Sequence, residues 1–458
     1  MPARDERVVM SNHDRAIPDA VRAELRDIGQ TDIVVGIPTF NSERTVAGVI
    51  TAVEAGVRKA FPGRRTVIVV SDGGSEDGTL AAVRSAGVGE NAEQYLVDPE
   101  TPPPRTLPLT YVGLPGKGSA FKAVFEVARE LRASACAVVD SDLRSIRPFW
   151  LEHLLAPVVA HGFDYVTPIY SRHRFDGTIT NSIAYPLTTA LYGARLRQPI
   201  GGDFGFSGPM AAHYADRDVW NTDVARFGID IWMTTVAVVE GFRVCQAHLG
   251  AKIHDPKDPG ADLGPMFREV VGSLFALAGL YRGRWERVTR VVDPPAFGLP
   301  AVAAAEPVNV SLPRLVWKFV DGSVRHQGLW RQIMAAGTFD GVMKAIREAS
   351  ESHRGLVLPP YLWFRIVYDY LVAYNKHDVD TGKLLESLTP LYFARTASYV
   401  QEAADDSDER AEGRINAMVD AALELKPYLI RRWREQGVPD REIAVQHVLQ
   451  TQVEESVH

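Results

Sequence analysis

Short apolar runs that alternate with helical segments are the feature of this sequence that most restricts its fold. Runs of strand type lie at 33–38, 66–70, 109–112 and 135–139. The segments between them have helical patterns, at 43–60, 76–86 and 118–132. Continuous apolar runs of this length are typical of parallel strands that are covered on both faces. Strands that alternate with helices therefore predict an α/β fold with a mainly parallel sheet.

The composition of the chain changes at a Pro/Ala-rich stretch over residues 294–306. Beyond it the pattern is helical, and residues 361–375 carry aromatic side chains at near-helical spacing. We predict an N-terminal tail and short helix over 1–30, an α/β domain over 31–293 and a mainly helical region over 307–458. Aromatic stripes of this kind usually form a core or a subunit interface, and we expect a homo-oligomer, a dimer.

Charge and hydropathy exclude several classes of protein. The net charge of −7 does not support nucleic-acid binding, which usually requires a basic surface. No apolar run approaches the roughly 20 residues that span a bilayer, and the first 14 residues contain no apolar signal-peptide core. We therefore expect a cytoplasmic protein that binds neither nucleic acid nor membrane. Cys136 and Cys245 lie in apolar stretches and are interpreted as core residues.

Polar loops recur where the predicted strands end. They lie at 38–43, 71–75 and 140–142, and a fourth, at 116–119, opens the third helix. In open α/β sheets, ligands bind beyond the carboxyl ends of the strands. Any one loop has an alternative explanation as ordinary turn chemistry. A Walker A motif is excluded because Gly118 follows Lys117, and residues 73–78 do not supply a Rossmann fingerprint.

The triplet Asp140-Ser141-Asp142 places two carboxylates directly after an apolar run. A hard divalent cation binds carboxylate oxygens and can bridge them to a diphosphate, which removes the repulsion between the two Asp side chains. The alternative is a helix N-cap near Pro148. Lys117, between two glycines, suits a point charge beside a phosphate or carboxylate, and its alternative is a solvated turn lysine. Each signal is weak when taken alone.

Taken together, these segments resemble the GT-A glycosyltransferases. The order of four further segments is similar to that in the mannosylglycerate synthase and glucosyl-3-phosphoglycerate synthase families, namely 115–118, 198–203, 227–230 and 250–254. The resemblance covers roughly residues 31–275. It implies a Rossmann-like GT-A catalytic domain followed by a mainly α-helical C-terminal region. The implied reaction is retaining transfer of a hexose from a nucleotide-diphosphate sugar to glycerate or its phosphate.

The resemblance also implies roles for individual residues. The implied ligands of a divalent metal, Mg²⁺ or Mn²⁺, are Asp140, Asp142 and His254. The implied donor-binding residues are Pro38, Glu43, Asp72, Lys117, Asp140 and Ser141. The carboxylate near the reacting sugar carbon is implied to be Asp230. The implied acceptor-binding residues are Arg172, Asp176 and Thr180.

Thr178 bears on the acceptor, because the phosphoglycerate enzymes have an arginine at its place. We therefore expect D-glycerate to be the acceptor. The donor is expected to be a GDP-, UDP- or ADP-hexose that transfers glucose or mannose, and the product a compatible solute. Arg174 could instead bind a phosphate, so 3-phosphoglycerate remains an alternative acceptor. A nucleotidyltransferase that uses the same carboxylates is a further alternative. Asp203 and Asp255 stand where the relatives have Glu and Arg, and Lys257 could supply the missing positive charge.

Overall fold

The computed structural model describes residues 15–86, 103–254, 263–300, 306–351 and 356–439, without the side chains of 350 and 351. The chain divides into two compact units. The first unit comprises Met1–Asp176, Leu196–Pro256 and Pro294–Val308. The second comprises Gly177–Arg195, Lys257–Asp293 and Asn309–His458.

The described strands and helices have the following bounds. The strands are β1 (Ile33–Thr39), β2 (Thr66–Asp72), β3 (Arg105–Thr110), β4 (Ala135–Val138), β5 (Tyr165–Ser171), β6 (Phe204–Ser207), β7 (Val244–Ala251) and β8 (Ala296–Phe297). The α-helices are α1 (Asp19–Ile28), α2 (Val46–Ala60), α3 (Thr79–Ser85), α4 (Lys117–Glu130), α5 (Phe149–His161), α6 (Tyr185–Tyr192), α7 (Gly208–Ala215), α8 (Ile229–Val239), α9 (Leu263–Leu280), α10 (Arg282–Trp285), α11 (Leu312–Ile333), α12 (Ala336–Glu351), α13 (Pro360–Lys376), α14 (Thr381–Glu402), α15 (Asp408–Glu424) and α16 (Lys426–Glu435).

One eight-stranded sheet organises the first unit. Its strand order is β3-β2-β1-β4-β6-β5-β7-β8. All neighbouring strands are parallel except where β6 runs antiparallel to β4 and β5. The predicted α/β fold with a mainly parallel sheet is therefore confirmed. Because β6 is reversed, its first residue, Phe204, pairs with Val138 at the carboxyl end of β4.

The core of the first unit lies where helices cover the central strands. Strand β1 is buried along its whole length, as a continuous apolar run predicts. Helix α2 buries Val49, Ile50 and Val53 at helical spacing against it, each at most 1% exposed. Full burial of one such side chain contributes about 1.5–3 kcal/mol. Cys136 and Cys245 are also buried and unpaired, as core residues.

The second unit is built from helices. The aromatic stripe predicted over 361–375 belongs to α13, where Trp363 and Tyr370 are fully buried inside this unit. The Trp363 Nε1–H donates to the carbonyl of Ser182 at 2.7 Å. The Phe267 ring of α9 stacks on Tyr392 of α14 with 4.3 Å between centroids. The core interpretation of the stripe is thus confirmed.

The limits of the units differ from the boundaries expected at 31–293 and 307–458. Residues 177–195 and 257–293 belong to the second unit, because α6 and α9 pack on its C-terminal helices. Residues 294–308 return to the first unit, where β8 pairs with β7. These associations join segments that are distant in sequence, and a change of composition along the chain does not reveal them.

Strand β3 also begins earlier than the apolar run at 109–112 indicates. It starts at Arg105 and pairs with β2 as an edge strand whose side chains alternate between buried and exposed. A continuous apolar run indicates only strands that are covered on both faces, so it does not predict the polar start of β3.

Helix α9 is long and apolar enough, by length and composition, to cross a membrane. Of its 18 residues, 56% are buried within the protein. A mostly buried core helix meets the same criterion, and α9 packs on α13 and α14 within the second unit.

Candidate functional site

The carboxyl end of β4 meets the first turns of two helices in the first unit. Asp140 follows β4, Lys117 is the first residue of α4 and Asp230 is the second residue of α8. Lys117 Nζ lies 2.9 Å from Asp140 Oδ1 and 3.2 Å from Asp230 Oδ2. Three of the residues singled out from the sequence are thus in direct contact.

A second lysine, Lys252, holds the other oxygen of Asp140. It follows β7, and its Nζ lies 2.7 Å from Asp140 Oδ2, 2.7 Å from Asp203 Oδ2 and 2.8 Å from the carbonyl of Gly201. An ammonium group has three donors, so these three contacts use all of them. Lys252 was not among the residues predicted for the site, although its position directly after a buried strand places it at the ligand-binding edge of the sheet.

Asp203 joins the same group from the amino end of the reversed strand β6. It is fully buried, and its Oδ1 accepts a hydrogen bond from the backbone N–H of Asp140 at 2.8 Å. The Tyr170 hydroxyl, near the end of β5, donates to Asp203 Oδ2. The sequence indicated Asp203 only as a departure from the relatives. Here it ties the loop after β4 to β5 and β7.

Two glycines make this close approach sterically feasible. A Cβ on Gly202, whose φ is +86°, would lie 2.2 Å from Asp140 Oδ2 and 3.0 Å from Lys252 Nζ. A Cβ on Gly118 would lie 1.8 Å from the carbonyl oxygen of Val224, where that segment crosses the start of α4. A larger residue at Gly202 would push Asp140 and Lys252 apart, and one at Gly118 would displace the backbone at Val224.

Three carboxylates and two ammonium groups make up this charged cluster, which we define as Lys117, Asp140, Asp203, Asp230 and Lys252. Burial alone raises the pKa of Asp140, but the two ammonium groups outweigh it and bring that pKa well below its usual value. Burial raises the pKa of Asp203 and of Asp230, against the opposing effect of their lysine partners. Counted as ionised, the cluster carries a net charge of −1.

Two buried polar atoms beside these contacts have no hydrogen-bond partner within the described residues. One is Asp230 Oδ1 and the other is Arg172 Nε. The Arg172 guanidinium lies 5.1 Å from the centre of the Tyr170 ring and 3.4 Å from Asp176 Oδ2. Because buried polar groups are almost always paired, these two atoms are open to a hydrogen bond with water or with a ligand.

The residues implied as metal ligands do not form a ready cage. Within the described ranges, no three His, Cys, Asp or Glu side chains gather in a metal-holding arrangement. Both oxygens of Asp140 contact ammonium groups, whereas Asp142 and His254 are half-buried. Mg²⁺ is commonly held by one or two carboxylates together with substrate phosphates and water. The carboxylates of Asp140 and Asp142 are oxygen donors of the kind that Mg²⁺ and Mn²⁺ bind, so the donor types present fit such an ion.

The implied nucleotide-binding residues shape the neighbouring loops. Asp72 Oδ2 accepts from the backbone N–H groups of Gly74 and Ser75 at 2.9 and 3.0 Å. Glu43 Oε2 accepts from the N–H of Gly78 at 3.2 Å. The contacts of these two residues are therefore with the loop after β2, and their roles towards a base or ribose stay predictions.

Two further implied donor residues lie on β1 and after β4. Ser141 is bonded to Ser42 at 2.9 Å between the two hydroxyl oxygens. Pro38 is buried in β1. Their contact with a nucleotide sugar also stays a prediction.

The implied acceptor residues fall in both compact units. Arg172 and Asp176 form an ion pair in the first unit. Thr178 and Thr180 are buried in the second, and the Thr178 hydroxyl is bonded to the hydroxyl of Tyr392 at 2.6 Å. Asp255 and Lys257, noted from the sequence, lie outside the described residues.

Comparison with known proteins agrees with the predicted fold. Residues 34–207 match the family model of glycosyl transferase family 2. No curated protein sequence matches the chain significantly. The family match confirms the predicted resemblance to a GT-A glycosyltransferase. The mainly parallel sheet of the first unit is consistent with it.

Several solved structures are similar to this chain. Glucosyl-3-phosphoglycerate synthase from Mycobacterium tuberculosis in complex with phosphoglyceric acid is 21% identical, with 56% of this chain and 84% of that one covered and a TM-score of 0.41. Its complex with Mn²⁺ and uridine-diphosphate-glucose has 21% identity, coverages of 56% and 83%, and a TM-score of 0.41. A mycobacterial protein is 25% identical, with coverages of 56% and 78% and a TM-score of 0.41.

Proposed function

We propose that this protein is a metal-dependent, retaining hexosyltransferase that moves glucose or mannose from a nucleoside-diphosphate sugar to D-glycerate. The observation that carries the proposal is the contact of Lys117 with both Asp140 and Asp230 at the carboxyl end of β4. A cationic group for a diphosphate and a carboxylate for a sugar ring then lie side by side. The family 2 glycosyltransferase match over residues 34–207, which includes Lys117 and Asp140, supports this class of reaction.

Cleavage of the bond between the sugar carbon and the diphosphate separates charge. Lys117 binds the diphosphate as a point charge. Asp142 and His254 would hold a divalent cation, which supplies Lewis-acid neutralisation of the leaving diphosphate. Asp230 stabilises the positive charge that develops on the sugar ring, since its Oδ1 is buried and has no partner among the described residues.

Retention of configuration follows if the acceptor attacks the face from which the diphosphate leaves. The leaving diphosphate oxygen takes the proton of the acceptor hydroxyl in this scheme. This part of the proposal rests on the resemblance around residues 227–230. Proton NMR of the early product reads the configuration directly.

The acceptor carboxylate is assigned to Arg172. Its guanidinium is 14% exposed and its Nε has no partner among the described residues, so it retains a donor for a carboxylate. Thr178 offers neither charge nor a free hydroxyl, because it is buried against Tyr392. The Arg172 donor favours an acceptor that carries a carboxylate. That the acceptor carries no phosphate rests on the resemblance, by which Thr178 stands in place of an arginine. Thr180 stays a prediction from the resemblance.

A panel of donors and acceptors tests the proposal. GDP-, UDP- and ADP-linked glucose and mannose are each offered with D-glycerate and with 3-phosphoglycerate, and the products are identified by mass spectrometry and NMR. We expect a glycosylglycerate and free nucleoside diphosphate, with kcat/KM for glycerate at least about tenfold above that for phosphoglycerate. We also expect the activity to require added Mg²⁺ or Mn²⁺ and to be abolished by excess chelator.

Two results of the panel would contradict parts of the proposal. Preference for 3-phosphoglycerate would show that another cation, such as Arg174, serves a phosphate. Release of pyrophosphate with formation of a nucleotide sugar would identify a nucleotidyltransferase instead. Arg172→Lys tests the assignment of the acceptor carboxylate to Arg172. It keeps the positive charge but removes the planar guanidinium that binds a carboxylate in bidentate fashion.

A further inference from the structure

Asp140 is held by two ammonium groups, one on each oxygen. Lys117 contacts Oδ1 at 2.9 Å and Lys252 contacts Oδ2 at 2.7 Å. A divalent cation that approaches Asp140 in this arrangement meets two like charges at contact distance. Coulomb repulsion at such distances in a partly buried site is large compared with thermal energy. Asp140 can therefore serve a cation only after one lysine has moved.

The two lysines are held very differently. The side chain of Lys252 is 4% exposed, and its three donors are used by two carboxylates and the carbonyl of Gly201. Lys117 is 16% exposed, and among the described residues its polar contacts are with Asp140 and Asp230. Moving Lys252 would leave the fully buried Asp203 without its cation. Moving Lys117 leaves Asp140 still held by Lys252, so Lys117 is the group that can move.

We propose that Lys117 occupies Asp140 in the free protein and transfers to the diphosphate of the arriving nucleotide, which opens Asp140 Oδ1 to the divalent cation. This inference rests on the proposed function, because it needs a diphosphate ligand and a cation. Lys117 is thereby a positioning residue for the cation as well as a donor-binding group. No covalent bond is made or broken in the exchange. Asp140 Oδ1 exchanges Lys117 for the cation, and Asp230 gives up its contact with Lys117.

A consequence is that the cation and the nucleotide bind cooperatively. The free protein should bind Mn²⁺ weakly, because Lys117 competes for Asp140. Coupling between two ligands is reciprocal, so each must strengthen the binding of the other by the same factor. Part of this coupling is a property of Lys117 and not of contacts between metal and phosphate.

The test measures Mn²⁺ binding to the full-length protein, by the electron paramagnetic resonance of free Mn²⁺, in the absence of nucleotide. Lys117→Met alone removes a positive charge, which attracts any cation. The decisive variant is therefore Lys117→Met/Asp230→Asn, in which the cluster keeps the net charge of −1 that it has in the wild type. Lys122→Met is the matched control, since Lys122 lies on the same helix with its Nζ 5.4 Å from the Trp220 ring centre.

We expect the double variant to bind Mn²⁺ at least about tenfold more tightly than the wild type, and Lys122→Met to bind as the wild type does. With UDP, GDP or ADP added, the gain in Mn²⁺ affinity should be smaller in the double variant than in the wild type. Thermal unfolding checks that each variant is folded. Equal affinities in the double variant and the wild type, including no measurable binding by either, would overturn the exchange.

The outcome is separable from that of the proposed function. Tighter Mn²⁺ binding by the double variant supports the exchange even if no donor in the panel yields a glycoside. Conversely, an active wild-type enzyme whose Mn²⁺ affinity does not depend on Lys117 refutes the exchange and leaves the transferase proposal intact.

Discussion

Two buried carboxylates, Asp369 in the second unit and Asp230 in the first, show how differently this protein uses buried charge. Asp369 is 1% exposed and all its hydrogen bonding is internal. Its Oδ1 accepts from the Tyr428 hydroxyl at 2.7 Å and from Arg432 Nε at 2.8 Å, and its Oδ2 accepts from the N–H of Ala335 at 2.9 Å. This one side chain therefore ties α13 to α16 and to the turn between α11 and α12.

Asp230 is 7% exposed, but only half of its carboxylate is paired. Lys117 holds Oδ2, and Oδ1 has no partner among the described residues. A complete network fixes helices in place, whereas an incomplete one keeps binding capacity at the expense of stability. The difference suggests that Asp369 serves the fold and Asp230 serves a ligand.

The largest effect on stability should come from Asp369→Ala. The substitution leaves Arg432, the Tyr428 hydroxyl and the N–H of Ala335 without their acceptor. Removal of one partner from a buried ion pair costs about 3–5 kcal/mol in the free energy of unfolding. Urea denaturation followed by circular dichroism measures it, with Glu348→Ala as a control, since the Lys344–Glu348 pair of α12 is exposed. A loss below about 1 kcal/mol would mean that the network is not what joins these helices.

Asp230→Asn should give the opposite pattern. The free energy of unfolding should change by less than about 1 kcal/mol, because one like charge leaves a cluster with a net charge of −1. The rate of sugar transfer at saturating substrates should fall on the order of 10²–10³-fold, as expected for loss of one preorganised electrostatic group. Measurement of kcat beside urea denaturation separates the two. Strong destabilisation with kcat unchanged would assign Asp230 to the fold.

The sequence reveals residues of the charged cluster that follow predicted strands or open predicted helices. Asp140 and Lys117 stand in polar loops, and their contact follows from the parallel sheet. Lys252 and Asp203 are different, because their approach to Asp140 requires β6 to be reversed and β7 to lie beside β5. Those pairings are non-local, so no pattern along the chain indicates them.

The fold shows the same division. Fully buried strands such as β1 are evident as continuous apolar runs, whereas the edge strand β3 is recognised only in part. The helical character of the C-terminal region follows from periodicity. The association of residues 177–195 and 257–293 with the second unit cannot be predicted from periodicity, because it depends on which helix faces meet in the folded chain.

Lys426 is a buried cation of the second unit whose partners are carbonyl groups, and its effect on stability should be smaller than that of Asp369. Its Nζ donates to the carbonyl of Val288 at 2.9 Å, with that of Leu191 at 3.5 Å. Burial lowers the pKa of Lys426 to about 8 from the ordinary value of 10.5. Between those two pH values the unfolded chain binds more protons than the folded protein. The contribution of Lys426 to the free energy of unfolding therefore increases as the pH rises through this window.

Lys426→Met removes this titration, so the difference in Tm between wild type and variant should shift in favour of the wild type from pH 7 to pH 10. Other titrating groups affect both proteins alike and cancel in the difference. Lys383→Met is the matched control, because Lys383 is an exposed lysine of the same unit. Its Tm difference from the wild type should stay constant over this range. A constant difference for Lys426→Met as well would show that Lys426 keeps its proton in the folded protein as readily as in the unfolded chain, and that its carbonyl partners compensate fully for its burial.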